Sequence, residues 1–213
     1  MSDAPRFSVV MAAYNAAATI AGAIASVLAQ TESDLELIVV DDGSTDATRQ
    51  VVEQSADMRV KLLSQPNRGP GGARNSGIAV AAGTLVAFLD SDDLWLPRYL
   101  ELAAGALAKT TNPGLAYTDA YALDATSGKV RRRSAMGRMC PPDPPPSDPD
   151  AFLLELLKRN FVFNSTTVPR TVLETVGGYD AAKRSAEDYE LWLRIIVGGY
   201  RAAWVPGRQA IYR

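Results

Sequence analysis

The stretch Thr84–Asp93, TLVAFLDSDD, decides the fold of this 213-residue chain. Its first six residues are mostly apolar and follow Gly83, a pattern typical of a buried strand. Its last four residues bring three carboxylates to the carboxyl end of that strand, where ligands collect in open α/β sheets. Close carboxylates repel one another unless a cation lies among them, and oxygen ligands suit Mg²⁺ or Mn²⁺. The pattern also fits the N-cap and first turn of a helix over Leu94–Lys109, so both interpretations stay open.

The composition predicts one globular domain over residues 1–213, since 47% of the residues are hydrophobic. A net charge of −2 argues against a nucleic-acid partner. The single cysteine, Cys140, cannot form an internal disulfide, which fits a cytoplasmic protein. The chain has no apolar run near the ~20 residues that span a membrane and no signal-peptide pattern, so we expect at most peripheral membrane contact.

The first half alternates strands and helices, which predicts a doubly wound, mostly parallel α/β sheet with helices on both faces. The predicted strands are Phe7–Ala13, Leu35–Val40, Arg59–Leu63 and the run from Leu85. The predicted helices begin near Ile20, run from Thr45 or Asp46 to about Gln54, and cover Gly72–Ala82.

The second half is less regular and predicts fewer elements. Leu115–Leu123 and Lys129–Arg133 flank turn residues and predict a hairpin. Residues 141–149 are rich in proline and predict a loop. The remaining predicted elements are a helix at Ala151–Arg159, a strand at Phe163–Val168 and a helix at Glu187–Val197.

Two side chains at the first two strand ends suit a nucleobase. Tyr14 follows the first strand and offers an aromatic face, while Asp42 follows the second and can accept from a ring N–H. A turn tyrosine and an aspartate that caps the next helix would look the same in sequence.

A glycine-rich segment, Asn67–Asn75, precedes the third predicted helix. Glycines there let backbone N–H groups approach an anion at a helix N-terminus, and Arg74 adds a forked donor for phosphate. The segment matches neither the P-loop nor the dinucleotide-binding pattern. Base, phosphate and acidic metal sites are therefore predicted on successive strand ends.

A last pair of carboxylates, Glu187 and Asp188, precedes the final predicted helix. Leu191, Trp192, Ile195 and Ile196 follow at helical spacing and predict its buried face. Asp188 then lies in the first turn, where the helix dipole favours an ionised carboxylate. Capping explains this position, but a chain with no histidine also needs another general base.

These motifs together resemble family 2 glycosyltransferases of the GT-A fold, in the same order and spacing over about residues 6–213. The matching segments are Val9–Asn15, Asp41–Asp46, Gly69–Gly77, Asp90–Asp93 and Glu187–Trp192.

The resemblance implies an inverting transfer of a sugar from a nucleotide-diphosphate donor, with a UDP-sugar expected, in polysaccharide biosynthesis. It implies a nucleotide-sugar-binding half at about residues 6–110 and an acceptor-side half at about 111–213. Tyr14 and Asp42 would bind the base, and Arg74 the phosphates.

The resemblance also implies the roles of the carboxylates. Asp90 and Asp92 would form the D-x-D pair for Mn²⁺ or Mg²⁺, with Asp90 also serving the nucleotide and Asp93 supporting the loop. Asp188 would be the general base. Glu187 and Trp192 would lie on the side of the acceptor, which would be a saccharide or a lipid-linked sugar.

The sequence departs from the family at two points. Ala12 stands where many relatives carry proline, and the chain stops at Arg213, where relatives commonly continue through a histidine. In relatives that segment can complete the acceptor or metal site, so the resemblance is compatible with a chain truncated at its C-terminus.

Two other functions share these motifs. A non-catalytic nucleotide-sugar-binding module would need Tyr14, Asp42 and Asp92 but not Asp188. A sugar-1-phosphate nucleotidyltransferase would carry a basic glycine-rich loop after the first strand, which this chain lacks. A basic stretch at residues 129–138 fits acidic lipid-linked acceptors or a membrane surface, and also a solvated hairpin tip.

Overall fold

The computed structural model describes residues 4–124, 129–134, 146, 148–163, 165–183 and 185–213, without the side chains of residues 131–134. The strands in this part of the chain are β1 Phe7–Ala13, β2 Leu35–Asp41, β3 Val60–Ser64, β4 Leu85–Phe88, β5 Leu94–Trp95, β6 Pro113–Leu123, β7 Val130–Ser134, β8 Thr166–Pro169 and β9 Arg201–Tyr212. The helices are α1 Ile20–Leu28, α2 Thr48–Glu53, α3 Gly69–Val80, α4 Tyr99–Lys109, α5 Pro149–Lys158, α6 Arg170–Val176 and α7 Glu187–Val197. None of these helices has the length and apolar character to cross a membrane.

The nine strands form one mixed sheet in the order β3-β2-β1-β4-β8-β6-β9-β5, with β7 paired to β6. The first four strands in this order pair in parallel, so their carboxyl ends lie along one edge. β8 then pairs antiparallel to β4 and to β6, while β9 runs parallel to β6. The predicted α/β sheet is confirmed, but it is mixed: β1 to β4 pair in parallel, and antiparallel β8 lies at the junction of the two halves.

The sheet carries an apolar core on each face because alternate strand residues point to opposite sides. In β1, Val9 and Met11 pack with residues of α1 and α4, whereas Val10 packs with residues of α3 and α7. This arrangement confirms helices on both faces.

Several predicted boundaries are wrong. α2 begins at Thr48 rather than at Thr45 or Asp46, and Asp46 Oδ1 accepts from the Thr48 backbone N–H at 2.9 Å. α3 begins three residues earlier than predicted, at Gly69, because Pro70 fits the first helical turn.

The predicted helix over Leu94–Lys109 begins only at Tyr99, since Leu94 and Trp95 pair with β9. The predicted β8 begins at Thr166 instead of Phe163.

The hairpin of β6 and β7 is confirmed by antiparallel pairing. The predicted proline-rich loop lies mostly outside the described residues, and its last residue, Pro149, opens α5. The Asp148 carboxylate caps α5 by accepting from Ala151 N–H at 2.9 Å.

A buried carboxylate joins the strands at the end of the sheet opposite the predicted site. Glu36 in β2 is 4% exposed and accepts from Ser8 Oγ at 2.5 Å, Lys61 Nζ at 2.6 Å and Ala82 N–H at 2.8 Å. Ser8 Oγ in turn accepts from Gly83 N–H at 2.8 Å. Burial alone would raise the pKa of Glu36, but the hydrogen bonds from Lys61, Ser8 and Ala82 lower it overall.

We predict that Glu36→Gln lowers the free energy of unfolding by about 1–3 kcal/mol, because a buried network loses its charge-assisted bonds. The folded pKa of Glu36 is lowered, so its stabilisation is present above the unfolded pKa and is lost as pH falls through the folded pKa. Urea denaturation at pH 7 and at lower pH measures both effects. Glu53→Gln, in an exposed pair with Arg49, is the matched control and should change stability little.

Candidate active site

The turn after β1 is joined to the turn after β2 through Asn15. This residue adopts a left-handed conformation with φ 52°, which asparagine tolerates. Its side-chain Oδ1 accepts from Thr45 N–H at 2.8 Å, and its own N–H donates to Ser44 Oγ at 3.0 Å. The neighbouring Tyr14 is left 53% exposed at the sheet edge.

Asp42 is buried beside this exposed ring. Its Oδ1 accepts from Gln65 Nε2 at 2.7 Å and from Arg68 N–H at 2.9 Å. Within the described part of the chain, no donor to its Oδ2 is recorded. The second oxygen is therefore available to a ligand.

Tyr14 and Asp42 line a cavity of about 590 Å³ at the carboxyl edge of the parallel strands. The N-terminal residues of α3 and the turn after β4, including Gly69, Asp90 and Asp92, complete its wall. This volume is in the range of small-molecule sites. The structure thus brings the predicted base, phosphate and acidic sites to one cavity.

Arg74 lines the same cavity from α3 but is bound by two carboxylates. Its Nη2 donates to Asp90 Oδ1 at 2.7 Å, and its Nη1 donates to Glu187 Oε1 at 2.6 Å. The guanidinium also lies over the Tyr179 ring, 5.2 Å from its centroid. Contact between Arg74 and a phosphate stays a prediction, and in this structure the residue joins β4, α3 and α7.

The three aspartates after β4 occupy different environments. Asp93 is buried and accepts from Arg213 N–H at 3.0 Å, and burial is the main cause that raises its pKa to about 8. Desolvation and the Asp90 charge raise the pKa of Asp92. Only Asp90 and Asp92 of the three border the cavity.

The described residues contain no cluster of three or more metal-binding side chains. Asp93 is bound to the Arg213 backbone, in keeping with its predicted role in supporting the loop, and the metal role of Asp90 and Asp92 stays a prediction. Two carboxylates still suit Mg²⁺ or Mn²⁺, which usually share one or two protein ligands with substrate phosphates.

Asp188 lies in the first turn of α7, as predicted. Its Oδ1 accepts from Tyr189 N–H at 2.6 Å, and the preceding Ala186 has φ 55°. Burial is the main cause that raises the pKa of Asp188, while the Arg74 charge opposes the shift. A raised pKa makes the ionised carboxylate a stronger proton acceptor.

Two residues predicted on the acceptor side have structural partners instead. Trp192 is fully buried, with its ring centroid 6.4 Å from that of Phe88 and 6.3 Å from that of Tyr179. Its predicted contact with an acceptor is wrong, because it faces the core between α7 and the sheet. Glu187 is 7% exposed and is held by Arg74.

Tyr179 also belongs to this region and was not predicted as a site residue. The Asn75 side chain holds its backbone, donating to Tyr179 O at 2.7 Å and accepting from Tyr179 N–H at 2.8 Å. Tyr179 lies in a segment with no predicted element, and its partners are 104 residues away in sequence. No local pattern could have identified it.

Comparison with known proteins identifies the class. Residues 8–175 match the family model described as "Glycosyl transferase family 2". The chain belongs to this family.

Two relatives are similar over most of the chain. The succinoglycan biosynthesis protein ExoO of Rhizobium meliloti is 38% identical over 98% of the chain, which covers 60% of ExoO. The Escherichia coli protein WfgD, a UDP-Glc:alpha-D-GlcNAc-diphosphoundecaprenol beta-1,3-glucosyltransferase, is 36% identical over 89% of the chain, which covers 69% of WfgD. The chain therefore spans only part of the length of these relatives.

Solved structures share the fold. TarS of S. aureus in complex with UDP-GlcNAc has a TM-score of 0.73 and 21% identity, over 97% of this chain and 58% of TarS. The mannosyltransferase PcManGT of Pyrobaculum calidifontis, in complex with GDP-Man and Mn²⁺, has a TM-score of 0.68 and 23% identity, over 99% of this chain and 57% of PcManGT.

We predict that Arg74→Met lowers the free energy of unfolding by about 3–5 kcal/mol, because it leaves Glu187 buried without its cation. The double variant Arg74→Met with Glu187→Gln should recover part of this loss. Urea denaturation of both variants measures the difference. Arg49→Met, which breaks an exposed ion pair, serves as the control. Equal stability of the single and double variants would contradict a stabilising ion pair between Arg74 and Glu187.

Proposed function

We propose that this chain transfers a sugar from a nucleotide-diphosphate donor, with a UDP-sugar preferred, to an acceptor hydroxyl with inversion at the anomeric carbon. The observation that carries the proposal is the buried bridge from Asp90 through Arg74 to Glu187. It fixes the cavity wall at β4 next to the helix start that bears Asp188. Donor binding and acceptor activation then share one rigid support.

The nucleobase binds at Tyr14 and Asp42 in this proposal. The exposed ring offers a stacking surface, and the second oxygen of Asp42 accepts the ring N–H of uracil. Adenine has no ring N–H at the corresponding position, so a uridine nucleotide fits better. The name of WfgD contains UDP-Glc, which agrees with this preference.

The diphosphate binds at the N-terminus of α3. Gly69 and Pro70 open this 12-residue helix and line the cavity, so backbone N–H groups and the helix dipole face the ligand. Gly69 and Pro70 line the same cavity as the base site and the acidic turn, so one donor can contact all three.

Asp92 and Asp90 hold the divalent cation in this proposal. Desolvation raises the pKa of Asp92, so a cation there would relieve an unfavourable buried charge. When bound, Mn²⁺ or Mg²⁺ supplies positive charge that offsets the charge of the leaving diphosphate.

Asp188 acts as the general base. Its carboxylate takes the proton of the acceptor hydroxyl while that oxygen bonds to the anomeric carbon. The bond from this carbon to the diphosphate oxygen breaks, and its electron pair leaves with the nucleoside diphosphate.

The acceptor is a saccharide, free or lipid-linked. The name of WfgD gives a sugar linked to diphosphoundecaprenol as its acceptor. A lipid-linked acceptor would bring this chain to the cytoplasmic face of a membrane by peripheral contact.

We predict that Asp92→Asn weakens UDP binding in the presence of Mn²⁺ by at least about tenfold, because the cation loses a charged ligand. Isothermal titration calorimetry with UDP, GDP and ADP, with and without EDTA, measures the effect. Asp34→Asn, at an exposed surface carboxylate, is the matched control. Equal affinity for UDP and ADP would contradict the base site, and insensitivity to both EDTA and Asp92→Asn would contradict the metal role.

We predict that Asp188→Asn lowers turnover by at least ~100-fold with donor affinity nearly unchanged, because asparagine cannot accept the proton. Since the pKa of Asp188 is raised and its ionised form is active, the wild-type rate should rise with pH through a value above 3.8. The turnover of the variant and the pH dependence of the wild type are measured by radiolabelled sugar transfer. The donors are UDP-glucose, UDP-N-acetylglucosamine and UDP-galactose, and the acceptors are a panel of saccharides and polyprenyl-diphosphate sugars.

The control for this variant is Glu190→Gln, in the same helical turn but bound to Arg194. It should keep turnover. Near-wild-type turnover of Asp188→Asn removes Asp188 from the mechanism, and UDP binding without any transfer favours the non-catalytic nucleotide-sugar-binding module.

A further inference from the structure

Phe163 and Tyr212 form a stacked aromatic pair that the donor site does not use. Their ring centroids are 5.4 Å apart and their planes are inclined by 28°. Tyr212 is 44% exposed and Phe163 is half-buried, whereas the adjacent Phe161 and Val162 are 0% and 1% exposed. Phe161 and Val162 belong to the core, whereas Phe163 packs against that core with part of its side chain at the surface.

The strand register places the pair beside the acidic turn. The acidic turn leads directly into β5, whose Leu94 pairs with Ile211 of β9, so Tyr212 lies next to this turn, and Phe163 stacks on Tyr212 there. The next residue after Tyr212 donates its backbone N–H to Asp93 Oδ1 at 3.0 Å. Both rings thus lie at the sheet edge that carries Asp90 and Asp92.

The charges around Tyr212 agree with this position. Its pKa is raised, first by burial and then by the negative charges of Asp93, Asp90, Asp92 and Asp188. The phenol therefore lies within electrostatic reach of both the acidic turn and the proposed base.

The pair lies on the opposite side of the acidic turn from the base site. In the sheet order, Tyr14 and Asp42 follow β1 and β2, the acidic turn follows β4, and the aromatic pair belongs to the β8 and β9 side. A donor that extends from Tyr14 to the acidic turn does not contact the pair, which is not part of the cavity lining. The second substrate is then the ligand that can reach it.

Aromatic faces suit one part of a sugar in particular. A pyranose ring presents a flat face of C–H groups that packs on an aromatic ring, while its hydroxyls stay free for polar partners. The nearby carboxylates can accept from those hydroxyls.

We propose that Phe163 and Tyr212 form a platform on which the ring of the acceptor sugar stacks, with one of its hydroxyls directed to Asp188. This inference rests on the proposed function, since it assigns the acceptor of the same reaction. It predicts acceptors whose reacting unit is a pyranose with an unobstructed C–H face.

Saturation-transfer-difference NMR tests the platform without turnover. The probes are methyl β-D-glucopyranoside and methyl N-acetyl-α-D-glucosaminide, with UDP and Mg²⁺ present at saturating concentrations, and sorbitol is the acyclic control. We expect saturation on the ring protons of at least one glycoside and none on sorbitol. Tyr212→Leu and Phe163→Leu should weaken glycoside binding about 2- to 12-fold, and Tyr212→Phe should retain it.

Tyr121→Leu, at a half-buried aromatic under Arg208 in β6, is the matched control and should bind the glycosides like the wild type. The platform is overturned if neither glycoside is saturated, if both leucine variants bind like the wild type, or if only Tyr121→Leu loses binding. Calorimetric UDP titration of each variant confirms that the donor site is intact.

Failure of the aromatic platform can be distinguished from failure of the proposed transferase activity. Glycoside binding that depends on Tyr212, in a chain that transfers no sugar, would support the platform and contradict the transferase activity. In a chain that transfers sugar, an acceptor KM unchanged by Tyr212→Leu would contradict the platform and leave the activity in place.

Discussion

The arrangement of the site depends on one buried guanidinium group, that of Arg74. Arg74 is nearly inaccessible to solvent and bridges two carboxylates, Asp90 in the turn after β4 and Glu187 on α7. Burying a guanidinium is costly unless its donors are bound, and here both terminal nitrogens have a carboxylate partner. Lysine could not replace this geometry, because an ammonium lacks the planar fork that reaches two partners in fixed directions. The same residue neutralises charge where negative groups are concentrated.

The ion pair between Arg74 and Glu187 joins α3 to the start of α7. Arg74 and Glu187 are 113 residues apart in sequence, and α7 contacts the parallel half partly through α3. Asn75 extends the connection by two hydrogen bonds to the Tyr179 backbone, and the Tyr179 ring lies against Arg74. The start of α7 is therefore positioned by α3, which also borders the cavity. A ligand at the α3 N-terminus and a group at Asp188 are therefore both positioned by α3.

The sequence predicts those elements whose apolar pattern is local. The strands β1, β2 and β4 and the helix α7 follow from runs and periodicity, and α7 has the predicted bounds. β9 was missed because Pro206 and Gly207 interrupt its pattern, and its pairing with β6 shifts register at this point. The late start of α4 at Tyr99 was also hidden, since Leu94 pairs with a residue near the chain end. Such pairings depend on distant residues that no window around the element contains.

The same distinction applies to the carboxylates after β4, which form one pattern in sequence but three environments in the structure. The Asp90 carboxylate pairs with Arg74, and burial is the main cause that raises the pKa of Asp93 to about 8. The repulsion expected from the sequence alone is therefore reduced before any ligand binds. Of the three carboxylates, Asp92 is the one whose negative charge remains to be offset by a ligand in the cavity. The tertiary contacts of Arg74 and Arg213 give Asp90 and Asp93 different partners, and Asp90 and Asp92 are the two carboxylates that border the cavity.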